Sequence, residues 1–121
     1  MALQIIERQI DGVSVLDFTG RITLGEESNH IGIKIKEMLA KGKSQIVLNL
    51  NAVSRIDSAG LGALVWGNTS AQNRGVTLKL ANLTESFHEL LTITKLVTIF
   101  DTYGSVEDAV HSFTSKAPSA E

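Results

Sequence analysis

The sequence predicts an α/β fold: a single mixed β-sheet of about five strands, opened by an N-terminal antiparallel hairpin and packed with four helices, in the order β-β-α-β-α-β-α-β-α. Three features predict it. Two runs rich in Ile, Val and Leu flank Asp11-Gly12 near the start. Short apolar runs then alternate with longer segments whose apolar residues recur every three or four positions. Glycines and hydroxyl-bearing caps mark the boundaries between them. Strand–helix alternation implies parallel neighbours joined by right-handed crossovers, so only the opening pair is antiparallel.

Leu3 to Ile10 reads as the first strand and Val13 to Phe18 as its return, closed by Gly20. Asp11-Gly12 between them is a strong two-residue hairpin signal, because Gly accepts positive φ. A helix follows from about Glu26 to Lys41. Ile31, Ile35, Met38 and Leu39 form its apolar stripe. Glu26 and Glu27 near its start and Lys41 near its end suit the helix dipole, and Gly42 is a natural stop. Ile33 lies off the stripe, either as a scattered surface residue or as part of a contact patch. Gln45 to Leu50 has the apolar continuity of a strand covered on both faces. A second helix runs from Ser58 to about Asn73, ended by Gly75. Val76 to Leu80 alternates with period two, which predicts a strand with one face buried. Asn82 with Glu85 resembles a capping box opening a third helix, with Leu83, Phe87, Leu90 and Leu91 on one face. Leu96 to Phe100 reads as a last short strand. Ser105 with Asp108 caps a final helix bearing Val106, Ala109, Val110 and Phe113. Residues 1–114 form one expected domain, and the small, polar stretch 115–121 with Pro118 reads as a flexible tail.

The chain has 121 residues and a formal net charge of -2. That length suffices for one core without staples. The weakly acidic balance gives no electrostatic case for nucleic acid or an anionic membrane. The absence of cysteine rules out disulfides and thiolate metal sites and fits a reducing compartment. The start carries no secretory signal pattern, and no stretch reaches the ~18 apolar residues that span a bilayer. A cytoplasmic, soluble protein without cofactor or metal is the expectation.

The most informative stretch is Ile56-Asp57-Ser58-Ala59-Gly60-Leu61-Gly62, directly after the buried-strand pattern. Asp57 and Ser58 are both good helix N-caps, so either could serve. Ala59, Gly60 and Gly62 leave the first turn nearly bare. Each glycine weakens a helix by up to ~1 kcal/mol relative to Ala, which calls for a compensating close approach by the neighbouring strand or by a partner. A phosphate on Ser58 would add about -1.5 to -2 charges, stabilised by free N–H groups and the helix dipole. A docked partner would meet that charge, with Asp57 adding to the repulsion. Leu61, Leu64 and Val65 lie on the side expected to face the sheet. Ala59, Ala63, Trp66 and Ser70 lie opposite, a flat face with one large aromatic. Trp66 packs against a neighbouring helix or serves as a binding hot spot.

The run from Asn51 to Leu64 resembles the signature of bacterial anti-sigma factor antagonists, the STAS domain. The likeness extends from about Leu3 to Phe113. It takes in Gly20-Arg21-Ile22, Gly75-Val76-Thr77-Leu78 and Ser105-Val106-Glu107-Asp108-Ala109-Val110. The resemblance implies a partner switch in transcription regulation, without enzymatic activity. An unmodified antagonist binds an anti-sigma factor that is also a serine kinase, and a sigma factor is freed. The kinase phosphorylates the serine matching Ser58, the complex dissociates, and a PP2C-type phosphatase restores it. Partner-binding positions are then Asp57, Ser58, Ala59, Gly60, Gly62, Ala63, Trp66 and Thr23, on a monomer or weak dimer. The family often has Asp where this chain has Asn49 and Thr23. If both lie near Ser58, their neutrality eases phosphate accommodation. Thr23 is either a second phosphorylation site or a loop residue capping the first helix.

Two other readings compete. Related domains serve as scaffold or adaptor subunits in signalling or transport complexes. A small serine hydrolase would need Ser58 paired with His30, His88 or His111, none of which lies in a recognisable catalytic context, and Ser58 is not in a Gly-x-Ser-x-Gly elbow.

Overall fold

The Asp11-Gly12 turn forms as its residue types demand: φ is 51° at Asp11 and 81° at Gly12, as in a type I′ turn. It joins β1 (Leu3–Ile10) to β2 (Val13–Ile22), which pair antiparallel from Ile10 opposite Val13 to Leu3 opposite Gly20. A computed structural model describes residues 3–23 and 25–114, with backbone alone for 26–28 and 114. The expected tail from Ser115, the first two residues and the side chains of Glu26 and Glu27 lie outside the described residues. The order continues α1 (Glu26–Ala40), β3 (Gln45–Ile56), α2 (Ser58–Asn73), β4 (Thr77–Ala81), α3 (Glu85–Ile93), β5 (Asp101–Tyr103) and α4 (Val106–Thr114). The five strands form one sheet in sequence order, and every pairing after the hairpin is parallel.

The two faces of the sheet are covered unequally. On one, Leu16, Phe18, Ile46, Leu48 and Leu80 pack beneath α1, α2 and α3. The predicted stripe of α1, Ile31, Ile35, Met38 and Leu39, is buried there, as are Phe87 and Leu91 of α3. Burying each such side chain contributes about 1.5–3 kcal/mol. On the other face α4 alone covers Val13, Val15, Val47 and Ala81 with Val106, Ala109, Val110 and Phe113. Its cap is the predicted one: the Asp108 N–H donates to Ser105 Oγ at 3.0 Å.

Several boundaries differ from the sequence reading. Gly20 does not close β2. It sits inside the strand at φ 115°, beside a shift of register against β3. The β2 extension to Ile22 pairs with an extension of β3, which runs to Ile56 rather than ending at Leu50. Only Val53 is buried in that added stretch, so no apolar pattern announces it. β4 is buried on both faces, from Leu78 to Ala81. The alternation misled because Lys79, 8% exposed, lies under α4. Its ammonium donates to Ser112 Oγ at 2.6 Å and stands 4.2 Å from the centre of the Phe113 ring and 5.2 Å from that of Tyr103. Aromatic faces stabilise a cation that has left water. The capping box at Asn82 does not form. Asn82 takes φ 60°, and Thr84 caps α3 by accepting the Phe87 N–H at 3.3 Å. Residues 96–100 form turns, with Phe100 buried in the main core, and the strand follows them at Asp101–Tyr103. That polar edge strand carries little apolar signal.

One polar row crosses the sheet on the face that α4 covers. Arg8 donates to the Asp17 carboxylate from Nε at 2.6 Å and Nη2 at 3.2 Å. Asn49 Nδ2 donates to Asp17 at 2.8 Å, and Asn82 Nδ2 donates to Asn49 Oδ1 at 3.0 Å. Partial burial, the largest influence on Asp17, pushes its pKa up. Hydrogen bonds from Arg8 and Asn49, with the charge of Arg8, outweigh it and hold the pKa below the usual carboxylate value. The folded-state pKa therefore lies below the unfolded one, near 3.9. The resulting stabilisation is complete above the unfolded value and is lost as pH falls through the folded one. Urea midpoints of the parent and Asp17→Asn should differ at about pH 7 and converge at about pH 2. A difference that stays constant across that range would contradict this assignment.

Candidate functional site

The first turn of α2 meets the end of β2 backbone against backbone. Asp57 is the N-cap, extended at φ -120° and ψ -176°, and its carboxylate accepts the Gly60 N–H at 2.8 Å. Its carbonyl accepts the Leu61 N–H at 2.9 Å, and its own N–H donates to the Ile22 carbonyl at 3.2 Å. With Asp57 as the cap, the Ser58 hydroxyl is left out of that role. Ser58 is the first helical residue, and it is exposed. The N–H groups of Ser58 and Ala59 belong to the donors that any helix start leaves unpaired, so they are available to an anion formed there.

The glycines divide into two kinds. A Cβ on Gly60 would overlap the Ile22 carbonyl, so bare backbone is needed for the helix to approach the strand. Gly67 serves the same purpose deeper in the helix, where a Cβ would overlap the Ile35 side chain. Gly62 faces open space. The neighbouring strand thus explains the first glycine and not the second.

The two sides of α2 fall as the sequence predicts. Leu61 and Leu64 are buried, and Val65 packs against the core. Ala59, Ala63, Trp66 and Ser70 are half-buried or exposed along a groove shared with α1. Trp66 packs against the neighbouring helix without being enclosed by it. Its ring lies over Gly32, where a Cβ would sit 3.6 Å from the ring, and it remains 43% exposed.

A family model described as the STAS domain matches residues 4–109. The chain belongs to the STAS domain family. A candidate anti-sigma factor antagonist from Thermotoga maritima is similar in structure, with a TM-score of 0.82 and 26% identity over 89% of this chain and 92% of that one. The anti-sigma factor antagonist SpoIIAA in its unphosphorylated form matches with a TM-score of 0.71 and 19% identity, over 95% of this chain and all of that one. The phosphorylated form of the Bacillus protein matches at 0.69 and 18%, over 93% and 99%. A murine anion transporter of solute carrier family 26 shares the fold at 0.73 and 19%, over 90% of this chain and 19% of the transporter. At these lower identities the likeness is one of fold.

In this STAS domain the remaining predicted residues separate. Thr23 is half-buried and directly follows Ile22, which places it beside the start of α2. Gly25, two residues on, is the N-cap residue of α1. Asn49 belongs to the polar row, bonded to Asp17, Asn82 and the Asn51 N–H, and none of these bonds reaches Ser58. A carboxylate at position 49 would face that of Asp17, which accounts for the amide there. His30, His88 and His111 are exposed, as expected of surface histidines. Among the described residues no group of three His, Cys, Asp or Glu could hold a metal. No helix among them is long and apolar enough to cross a membrane.

Sequence reasoning missed three contributors: the Ile22 carbonyl, Gly32 beneath Trp66, and Lys36 on the groove rim. Gly32 did carry a signal, since a glycine inside a helix costs about 1 kcal/mol and calls for a reason. The glycine geometry gives a direct test by urea unfolding. Gly60→Ala should destabilise the domain by about 1–3 kcal/mol through overpacking. Gly62→Ala should leave stability unchanged or raise it by up to about 1 kcal/mol. Equal effects at both positions would refute the division.

Proposed function

We propose that this STAS domain is a bacterial, cytoplasmic anti-sigma factor antagonist, without enzymatic activity, that works as a phosphorylation-controlled partner switch. Unmodified, it binds an anti-sigma factor that is also a serine kinase. Phosphorylation of Ser58 by that kinase ends the complex, and a PP2C-type phosphatase resets it. The kinase supplies nucleotide and catalytic groups, and this chain supplies the acceptor hydroxyl. The observation that carries the reading is the exposed Ser58 at the first position of α2, relieved of capping by Asp57.

The chemistry follows from that placement. Helix-start N–H groups and the dipole stabilise a phosphate where it forms, so the fold has no need to rearrange around it. The energetic consequence falls on the contact instead. A dianion beside the Asp57 carboxylate would have to be desolvated by any surface seated over α2, which disfavours the complex. Asp57, Ala59, Gly60, Gly62, Ala63 and Trp66 form the docking surface in this reading, with Thr23 at its margin. The shared fold of the transporter domain extends to adaptor roles, and Ser58 is what favours the switch.

Phosphosite mapping after incubation with ATP and the serine kinase encoded nearest this gene should place phosphate on Ser58. Ser58→Ala should keep tight kinase binding and accept no phosphate. Ser58→Glu should weaken binding at least about tenfold, or 1.4 kcal/mol, with thermal stability nearly unchanged. Equal affinity of parent and Ser58→Glu, or ester hydrolysis lost in Ser58→Ala, would argue for another function.

A further inference from the structure

Of the exposed large apolar side chains, Ile33 at 66% and Trp66 at 43% lie across one groove between α1 and α2. Ala59, Ala63 and Gly32 form the floor of its first part, a cavity of about 520 Å³. The cavity continues past Trp66 toward Ser70 and Arg74 with a further volume of about 580 Å³. The helices follow β2 and β3, which pair in parallel, and so run in the same direction. The groove therefore extends along them from the Ser58 end of α2 to its C-terminal end. With 15 residues in α1, its length is roughly 22 Å, about four turns of helix.

The charge of the rim is specific. Lys36 and Arg74 line the groove, and neither forms an ion pair with the described residues. The acid on the same rim, Glu37, is held by Lys34 at 3.1 Å. Among the described residues, two cations without an ion pair thus flank an apolar floor, on a chain whose net charge is -2.

We propose that this groove receives an amphipathic helix of the partner, apolar on the face that enters and acidic along its flanks. Apolar anchors at helical spacing enter between Ile33 and Trp66, and carboxylates meet Lys36 and Arg74. That the helix belongs to the serine kinase rests on the partner-switch reading. The groove's preference for such a helix does not. Recognition and switching are then separate functions of α2: its exposed face selects the partner, and its first residue releases it.

Trp66 is the only tryptophan in the chain, so its fluorescence reports on the groove directly. Three synthetic helix-stapled peptides of about 15 residues would share one leucine stripe at i, i+3, i+4 and i+7 and carry Glu, Gln or Lys on the flanks. The Glu peptide should shift Trp66 emission saturably to the blue and bind at least about tenfold tighter than the Lys peptide at low salt. Ile33→Asp should weaken it at least about tenfold, and the Lys36→Glu, Arg74→Glu double variant should reverse the charge preference. All three positions are exposed, and circular dichroism with a thermal midpoint checks that the variants fold. Equal binding of the three peptides, no saturable shift, or indifference to Ile33→Asp would overturn the proposal. So would a parent dimer in light scattering that Ile33→Asp makes monomeric, because the groove would then hold a second copy. Peptide binding without kinase-dependent phosphate on Ser58 would remove the switch and keep the groove; the reverse result would remove the groove alone.

Discussion

One carbonyl oxygen, that of Ile22, sets where Ser58 stands. It accepts the Asp57 N–H and fills the space that a side chain at position 60 would need. A contact between two stretches of backbone cannot relax by changing rotamer, so the end of β2 and the start of α2 hold one relative position. Asp57 then completes the turn by taking the Gly60 N–H. The hydroxyl next to it is exposed because a carboxylate has taken the capping role. In the proposed switch this rigidity matters, since added charge is felt by the partner rather than absorbed by the fold.

The sheet divides its work between its faces. The side beneath α1, α2 and α3 carries the larger core and fixes the position of α2. The opposite side relies on one nine-residue helix, α4, whose apolar stripe is reinforced by the Lys79 contacts with Ser112 and Phe113. A helix that short has little stability by itself and depends on packing. The candidate site stands on the better supported side.

Much of this was legible in the sequence, for identifiable reasons. Element type and order came through wherever the apolar period was sustained, as in α1, α2 and α4. The hairpin was legible because Asp11-Gly12 fits a turn with positive φ at both residues. Ser58 at a helix start could be read from local chemistry alone. What failed depended on tertiary neighbours. The extension of β3 past Leu50 is held by pairing with β2, not by apolar residues of its own. Lys79 looked like a solvent-facing residue because nothing local reveals Phe113 and Tyr103 above it. Asn82 looked like a cap, yet its side chain reaches across to Asn49. The choice between Asp57 and Ser58 as cap was likewise open until the backbone geometry assigned it.

The amide of Asn49 on β3 links Asp17 on β2 to Asn82, the residue that follows β4. An acid at 49 would set two anions in contact unless one kept its proton or Asp17 became neutral as well. Positions 17 and 49 are therefore free to drift only as a couple: an exchange at one constrains which exchange the other tolerates. Across homologous chains the pair should show the statistical imprint of that bond, with an acid at one strand and an amide or hydroxyl at the other trading places.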